Sequence, residues 1–134
     1  MSDHIKLSGT TVNAPDALAL AEFYARITGG VAIGSPHWAA VTGPNGSIGF
    51  QQVDDFRPPV WPGSAIPMQL HLDFLVDDLA AAGTRVLDAG ATLLDFQPNS
   101  DHCFVYADPV GHPFCLSTWD GAQVVDNADG DHDG

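Results

Sequence analysis

A histidine and an aspartate two residues apart, His71 and Asp73, form the pair of side chains best suited to chemistry in this 134-residue chain. They lie in an apolar alternating run from Gln69 to Val76, which predicts a β-strand, so both side chains point to the same face of the sheet. Imidazole titrates near neutral pH and a carboxylate can orient its ring, so the pair could act as a general base. The alternative is a buried structural pair whose polar atoms are satisfied by each other.

A thiol and a guanidinium group add further candidates. If the fold brings Cys115 close to His71, a thiolate nucleophile becomes conceivable, but the sequence shows no electropositive surroundings that would lower the pKa of that thiol. Arg57 is one of only four cations, and it could bind the carboxylate or phosphate of a ligand. It could equally pair with an aspartate and stack on Trp61. We assign Arg57, Trp61 and Trp38 to the lining of a ligand pocket.

The charge balance excludes several classes of partner. The chain has 17 acidic residues against 4 Lys and Arg, for a net charge of −13. No basic face for nucleic acid can be built, and binding to anionic membranes is disfavoured. A cationic ligand would be attracted. No P-loop, G-x-G-x-x-G, C-x-x-C or G-x-S-x-G motif is present, so nucleotide hydrolysis, dithiol redox chemistry and serine hydrolysis have no support.

The chain divides into two halves that repeat the same order of elements, strand, helix and three strands. Capping residues predict each helix: Asp16 begins the first, which ends at Gly29-Gly30, and Asp77 or Asp78 begins the second, which ends at Gly90. Strands are predicted in the first half at residues 5–13, 31–34, 37–42 and 47–53, and in the second half at residues 69–76, 91–95, 102–107 and 113–118.

Domain boundaries follow from this repeat. We predict one domain over residues 1–119, with module one at 5–53 and module two at 69–119. A proline-rich connector at 54–68 is expected to be extended and to contain neither helix nor strand. Residues 120–134 contain five aspartates and are expected to form a disordered acidic tail. The N-terminus has no basic region before an apolar stretch, so a cytoplasmic protein is expected.

Several sequence strings together resemble the vicinal oxygen chelate superfamily, which includes glyoxalases, bleomycin resistance proteins and extradiol dioxygenases. The strings are Ala-Leu-Ala-Glu-Phe-Tyr at 19–24 of the first helix region, Gln-Leu-His-Leu-Asp-Phe at 69–74 with Val-Asp-Asp-Leu at 76–79, and Asp-Pro-Val-Gly-His-Pro-Phe at 108–114. The resemblance places the chain in the glyoxalase-like subgroup. It implies an α+β fold, in which two tandem β-α-β-β-β modules form curved mixed sheets around a cup-shaped pocket.

The resemblance also implies where a metal would bind. Metal-dependent members of the family carry one ligand on the first strand and one on the last strand of each module. His71 lies seven residues before Asp78, and the equivalent position of module one is Gly9, which has no donor atom. The last strands offer Cys115 and either Gln51 or Phe50; we prefer Gln51, because Phe50 then faces the helix. His71, Gln51 and Cys115 are thus the candidate ligands for a divalent metal (Zn, Ni, Mn or Fe).

Two functions of different classes remain open. The first is a glyoxalase-like protein with an incomplete metal-ligand set that binds or sequesters a small molecule, such as a cationic or aromatic drug or metabolite. The second is an enzyme of the same superfamily, a lyase, isomerase or dioxygenase, that uses His71 as metal ligand or general base. In either case the resemblance implies a homodimer.

Overall fold

The computed structural model describes residues 4–44 and 46–119 and divides the chain into two compact units, Met1–Arg57 and Pro58–Gly134. Within these described ranges, each unit contains one helix and one four-stranded mixed sheet. The predicted α+β fold of two tandem modules is therefore confirmed. Neither helix in the described ranges combines the length and the hydropathy that a membrane-spanning helix needs.

The first unit runs strand, helix, strand, strand, strand. Its elements are β1 (Thr10–Ala14), α1 (Ala17–Thr28), β2 (Val31–Gly34), β3 (Trp38–Gly43) and β4 (Gly46–Gln52). The strand order is β1-β4-β3-β2, with β1 parallel to β4 and the other pairs antiparallel. The helix carries the chain from β1 to the far edge of the sheet, so that β1 can pair in parallel with the last strand of the unit.

The second unit repeats this plan. Its elements are β5 (Leu72–Leu75), α2 (Leu79–Ala89), β6 (Thr92–Leu93), β7 (Cys103–Ala107) and β8 (Pro113–Ser117). The order β5-β8-β7-β6 reproduces that of the first sheet, again with the first strand parallel to the last. The internal repeat predicted from the order of elements is thus present in the topology.

Both helices begin and end at the predicted capping residues. Asp16 accepts a hydrogen bond from the backbone N–H of Ala19, and Asp78, rather than Asp77, accepts from Ala80 and Ala81. Each helix ends at a glycine with positive φ, Gly29 and Gly90, a conformation that residues with a Cβ rarely adopt. Local capping chemistry therefore sets the helix ends in both units.

Aromatic and aliphatic side chains between helix and sheet form the core of each unit. In the first unit, Tyr24 of α1 stacks on Phe50 of β4, and both are essentially inaccessible to solvent. In the second unit, Tyr106 stacks on Phe114, and Gly83 of α2 lies against the Tyr106 hydroxyl, where a Cβ would come within 2.5 Å. Burying side chains of this size contributes about 1.5–3 kcal/mol each.

Three predicted strands are shorter than expected by three or four residues. The strand predicted at residues 5–13 begins only at Thr10, and Ile5 and Leu7 are almost fully exposed. The ladder between β1 and β4 starts at Thr10 and Ile48, two residues after β4 begins, so the preceding residues have little strand to pair with. For the same reason the strand predicted at residues 69–76 begins at Leu72, opposite Phe114 near the start of β8.

The strand predicted at residues 91–95 is reduced to Thr92–Leu93 by a side chain. The amide group of Gln97 accepts from the Val105 N–H and donates to the Val105 carbonyl, both at 2.8 Å. The Gln97 side chain thereby takes the place of a strand backbone at the Val105 N–H, while the Val105 carbonyl also accepts from the Leu94 N–H at 3.2 Å. Sequence patterning does not show this substitution of side chain for backbone.

The connector at residues 54–68 contains no helix or strand, as predicted, but it is not extended. The Val60 N–H donates to the Ile66 carbonyl at 2.6 Å, which folds the segment back on itself. The Trp61–Pro62 peptide bond is cis. Pro58 lies so close to Gly111 that a Cβ on this glycine would come within 2.6 Å of it. The connector therefore packs on the turn between β7 and β8.

Candidate functional site

The sheet of the second unit has two chemically different faces. Tyr106 and Phe114, which are paired across β7 and β8, lie on the face covered by α2. Cys115 is adjacent to Phe114 and therefore points to the opposite face. Asp73 is the direct partner of Cys115 across β5 and β8, and paired residues share a face. The helix-free face therefore carries the polar candidates predicted from the sequence.

His71, Asp73 and Cys115 meet on this face. His71 Nε2 lies 3.0 Å from Asp73 Oδ1, and both side chains are open to solvent, at 36% and 66% exposure. One ligand atom from each of the three residues lies within 4.8 Å of the other two. The predicted same-face pair is therefore present, but it is accessible rather than buried, which disagrees with the structural alternative.

The Cys115 thiol is the buried member of this cluster. Burial raises the pKa of Cys115 far above its usual value, and hydrogen bonds to Cys103 and Asp73, together with their charge, raise it further. Burial also raises the pKa of Cys103, although the hydrogen bond with Cys115 opposes this. A thiol with a raised pKa is protonated at neutral pH and is a weak nucleophile. The raised pKa of Cys115 therefore argues against this residue as a nucleophile, as the sequence indicated.

The neighbouring thiol, Cys103, begins a predicted strand together with His102, and the sequence makes these two residues only a weak candidate for metal binding. It lies on β7 opposite Ser117, two positions along from the pair of Val105 and Cys115, and therefore on the same face. Its side chain is half-buried and near enough to Cys115 to contribute to the raised pKa of that thiol. Strand alternation over His102–Ala107 assigns Cys103 to one face of its own strand. Only the register of β7 against β8 shows that this is the face that carries Cys115.

The first unit carries no equivalent of this cluster among its described residues. Gly9 and His71 each lie one residue before the first strand of their unit and seven residues before a helix cap. Moreover, a Cβ at Gly9 would lie 2.9 Å from Ser47 Oγ. Two residues after these positions, Thr11 corresponds to Asp73. Thr11 pairs with Gly49 across β1 and β4.

Counted from the helix caps, the strand register gives an alignment of the two modules that differs from the one made from the sequence. Gly49, rather than Gln51 or Phe50, occupies the position that corresponds to Cys115. The expectation that Phe50 faces the helix is confirmed by its stacking on Tyr24. Gln51 lies on the helix-free face of its own sheet, where its Nε2 donates to Asn13 Oδ1 at 2.7 Å. Gln51 as a site residue stays a prediction.

The remaining candidates contact residues other than His71, Asp73 and Cys115. Trp38 pairs with Gln51 across β3 and β4 and is half exposed. Arg57 forms a surface ion pair with Asp55 at 3.6 Å, one of the two alternatives that the sequence left open. Trp61 packs against Phe96, with ring centroids 5.3 Å apart. Their assignment to a ligand pocket stays a prediction.

The donor set decides which metal the cluster would suit. Mn²⁺ and Mg²⁺ favour carboxylate and other oxygen ligands, whereas thiolates favour Zn²⁺ or Cu⁺. His71, Asp73 and Cys115 offer one nitrogen, one oxygen and one sulfur donor. This set does not fit a hard ion well, and it fits Zn²⁺, for which all three donor types are common ligands.

Solved structures of known proteins share the fold at low sequence identity. A glyoxalase/bleomycin resistance protein/dioxygenase family enzyme from Burkholderia phytofirmans PsJN is 20% identical, with a TM-score of 0.61 over 81% of this chain and 94% of the other. A mutant of the fosfomycin resistance protein FosX from Listeria monocytogenes, complexed with Mn(II) and 1S,2S-dihydroxypropylphosphonic acid, is 16% identical, with a TM-score of 0.68 over 93% and 99%. A possible glyoxalase from Bacillus cereus is 13% identical, with a TM-score of 0.64 over 85% and 99%.

Sequence comparison defines the family. The search of functionally curated proteins found no significant match. The profile of the glyoxalase-like domain matches residues 9–117, which is most of the chain and spans both units. The same residues carry the strings at 19–24, 69–74 and 108–114 and the repeated topology of the two sheets. The chain therefore belongs to the glyoxalase-like domain family, within the vicinal oxygen chelate superfamily.

Proposed function

We propose that this protein binds a small organic molecule on the helix-free face of its second sheet, at His71 and Asp73. The observation that carries the proposal is the strand register. Positions 9, 11 and 49 of the first unit hold Gly, Thr and Gly, where the second unit holds His71, Asp73 and Cys115. The ligand set that the family resemblance implies is thus incomplete, which favours ligand binding over the family's metal-dependent chemistry.

The charge of the chain indicates the class of ligand. A net charge of −13 and an exposed Asp73 favour a cationic molecule. The FosX mutant is complexed with Mn(II) and a phosphonic acid. A phosphonate is an anion, which an acidic protein would repel in the absence of a metal. Structural relatives described as bleomycin or fosfomycin resistance proteins make drug or metabolite sequestration the biological role that we favour.

A binding screen with matched variants tests this proposal. Cationic and neutral aromatic compounds are titrated into the full chain by calorimetry, alongside His71→Ala and Asp73→Asn. A hydrogen bond to a charged group contributes about 1.5–3 kcal/mol, so each variant should weaken binding roughly 10- to 150-fold. The control is His37→Ala, an exposed histidine of the first unit that contacts Gln52 at 2.7 Å.

Each outcome of this binding screen either supports or contradicts the proposed site. Weakening by both variants with the control unaffected supports binding at His71 and Asp73. Binding that neither variant changes places the ligand elsewhere and contradicts the proposal, as does the absence of binding across the whole screen.

An enzymatic role is the second candidate, and the His71–Asp73 contact favours it. A carboxylate 3.0 Å from Nε2 orients the imidazole and leaves Nδ1 as a proton acceptor. Lyase, isomerase or dioxygenase activity would then use His71 as general base or metal ligand. Dicarbonyl–thiol adducts and catechols are the substrates to assay first. Turnover that Asp73→Asn reduces through kcat, with little change in KM, would establish this role.

We also propose a homodimer, because members of this superfamily often act as dimers. We propose a cytoplasmic location as well, because it is typical of the family. Sedimentation equilibrium at several concentrations tests the assembly. A mass near 28 kDa, twice the 14.1 kDa of the chain, is expected, and a monomer at all concentrations would contradict it.

A further inference from the structure

The outer strand of the first sheet, β2 (Val31–Gly34), presents apolar side chains to solvent. It pairs with β3 on one side, and it ends the strand order β1-β4-β3-β2. Val31 and Ile33 are 61% and 59% exposed, and the half-exposed Trp38 of β3 lies on the same face of the sheet. An exposed edge strand with apolar side chains is a template on which a further strand can pair.

The backbone of β2 offers hydrogen-bonding groups to such a strand. The Ser35 N–H donates to the Trp38 carbonyl at 2.8 Å, which continues the register of β2 against β3. Backbone groups alternate in direction along an antiparallel strand, so those of Val31 and Ile33 also point towards β3. The N–H and carbonyl of Ala32 therefore point away from β3, to the open edge of the sheet.

The equivalent edge of the second sheet is protected against pairing. There the outer strand β6 contains only Thr92–Leu93, and the exposed carboxylate of Asp95 follows two residues later. Very short edge strands and charged side chains are devices that prevent the strands of separate molecules from pairing. By contrast, β2 is four residues long and contains no charged residue. The two edges of the repeated fold therefore differ in their capacity to accept a strand.

The distribution of charge indicates that a second copy of this chain supplies the pairing strand. Each copy has a net charge of −13, so two copies repel each other unless they meet through a neutral surface. Residues 27–53, which include β2, β3 and β4, contain no Asp, Glu, Lys or Arg. The edge formed by β2 is thus a neutral surface on a strongly acidic chain.

We propose that two copies of this chain pair antiparallel through β2, so that their two four-stranded first sheets join into one sheet of eight strands. This rests on the proposed homodimer and adds the surface through which the dimer forms. A two-fold axis at Ala32 lets its N–H and carbonyl bond the same groups of Ala32 in the second copy. Val31 of each copy then lies opposite Ile33 of the other, and such β-branched pairs stabilise antiparallel strands.

A matched pair of charge substitutions tests the proposed surface. Ile33→Glu places a carboxylate against an apolar side chain of the second copy, which costs free energy because the charge loses water. Leu93→Glu adds the same charge to the outer strand of the second sheet, where Leu93 is 46% exposed. In sedimentation equilibrium on the full chain, Ile33→Glu should weaken the dimer at least about tenfold, and Leu93→Glu less than about twofold.

A proline substitution tests the backbone hydrogen bonds. Ala32→Pro removes an N–H that points away from β3, so it spares the β2–β3 ladder and blocks the second copy. It should also weaken the dimer at least about tenfold, with circular dichroism as the check on folding. The Ile33 side chain is exposed, so Ile33→Glu keeps the test decisive if the proline variant does not fold.

The outcomes distinguish this surface from the homodimer itself. A dimer weakened by Ile33→Glu and not by Leu93→Glu supports pairing through β2. A dimer that Ile33→Glu and the folded Ala32→Pro variant leave unchanged overturns the inference while the homodimer stands, and a monomer at all concentrations contradicts both. Equal weakening by Leu93→Glu also overturns it, because total charge rather than pairing through β2 then controls association.

Discussion

Asp108 shows how one side chain holds the strands that carry the site. It is the one buried charged residue in the described part of the chain. Its Oδ1 accepts hydrogen bonds from the backbone N–H groups of Val110, Gly111 and His112 at 2.9–3.0 Å. These bonds close the turn between β7 and β8, and Gly111 meets the turn's geometry with a φ of +106°. A carboxylate outside the site therefore closes the turn that joins the strands of Cys103 and Cys115.

Replacing Asp108 by alanine should destabilise the fold. The substitution leaves three partly buried N–H groups without their acceptor, and charge-assisted bonds of this kind are strong, so we expect a loss of about 2–4 kcal/mol in the free energy of unfolding. Urea denaturation measures it, with the exposed Asp95→Ala as control. A loss no larger than that of the control would contradict the assigned role.

The two thiols should differ in reactivity. Burial raises the pKa of both, and that of Cys115 more, so less thiolate is present at a given pH in the folded protein than in the unfolded chain. In reduced, metal-stripped protein at pH 7.5, iodoacetamide should therefore modify Cys103 slowly and Cys115 still more slowly. Both rates should rise with pH and should increase at least about tenfold in urea. Mass spectrometry follows each site, and equal rates in folded and unfolded protein would contradict the raised pKa values.

At the scale of elements, the helices bring each first strand into position. Each helix is capped at both ends by a side chain and a glycine, and each carries the chain from the first strand to the far edge of its sheet. The parallel pairing of β5 with β8 follows, and this pairing places Asp73 beside Cys115. Local capping chemistry therefore contributes to a contact between residues 42 positions apart in the chain.

Adjacent aspartates provide a matched test of the second helix. Asp78 caps α2 through the N–H groups of Ala80 and Ala81 at 2.9 and 3.1 Å. Asp78→Ala should lower the free energy of unfolding by about 1 kcal/mol, whereas Asp77→Ala should change it by less than about 0.5 kcal/mol. Thermal or urea denaturation distinguishes them. An equal effect of the two substitutions would show that the cap does not stabilise the helix.

The whole molecule combines two similar units with very different chemistry. Both sheets have the same strand order and the same parallel first pairing. In the second unit the helix-free face carries His71, Asp73, Cys103 and Cys115. The corresponding face of the first unit carries Trp38, Gln51 and Asn13. The two units therefore share a strand order, whereas the cluster of His71, Asp73 and Cys115 lies in the second unit.

The acidic C-terminal segment should be dispensable for folding. Residues 120–134 lie outside the described residues, and their disorder stays a prediction from composition. Deleting them removes five aspartates and no lysine or arginine, which changes the net charge from −13 to −8. Because this lowers self-repulsion, the melting temperature should stay the same or rise slightly. A fall of several degrees in a calorimetric scan would show that the segment packs on the domain.

The sequence by itself determined the order of elements, the cap of the first helix and the shared face of His71 and Asp73, and it narrowed the cap of the second helix to Asp77 or Asp78. These features depend on residues within a few positions of each other: a capping side chain reaches two or three residues along the chain, and strand alternation places residues two apart on one face. The resemblance of three strings to the vicinal oxygen chelate superfamily added the fold of the whole chain, which the family profile confirmed.

Only the tertiary structure decided where strands begin, which residues are equivalent in the two modules and which thiols meet. Each of these depends on register, and a shift of one residue along a strand moves every side chain to the opposite face. Apolar alternation continues through Ile5 and Leu7, but the ladder starts at Thr10. The proximity of Cys103 and Cys115 likewise follows from how β7 lies against β8, since long-range pairing is set by the packing of whole elements rather than by local sequence.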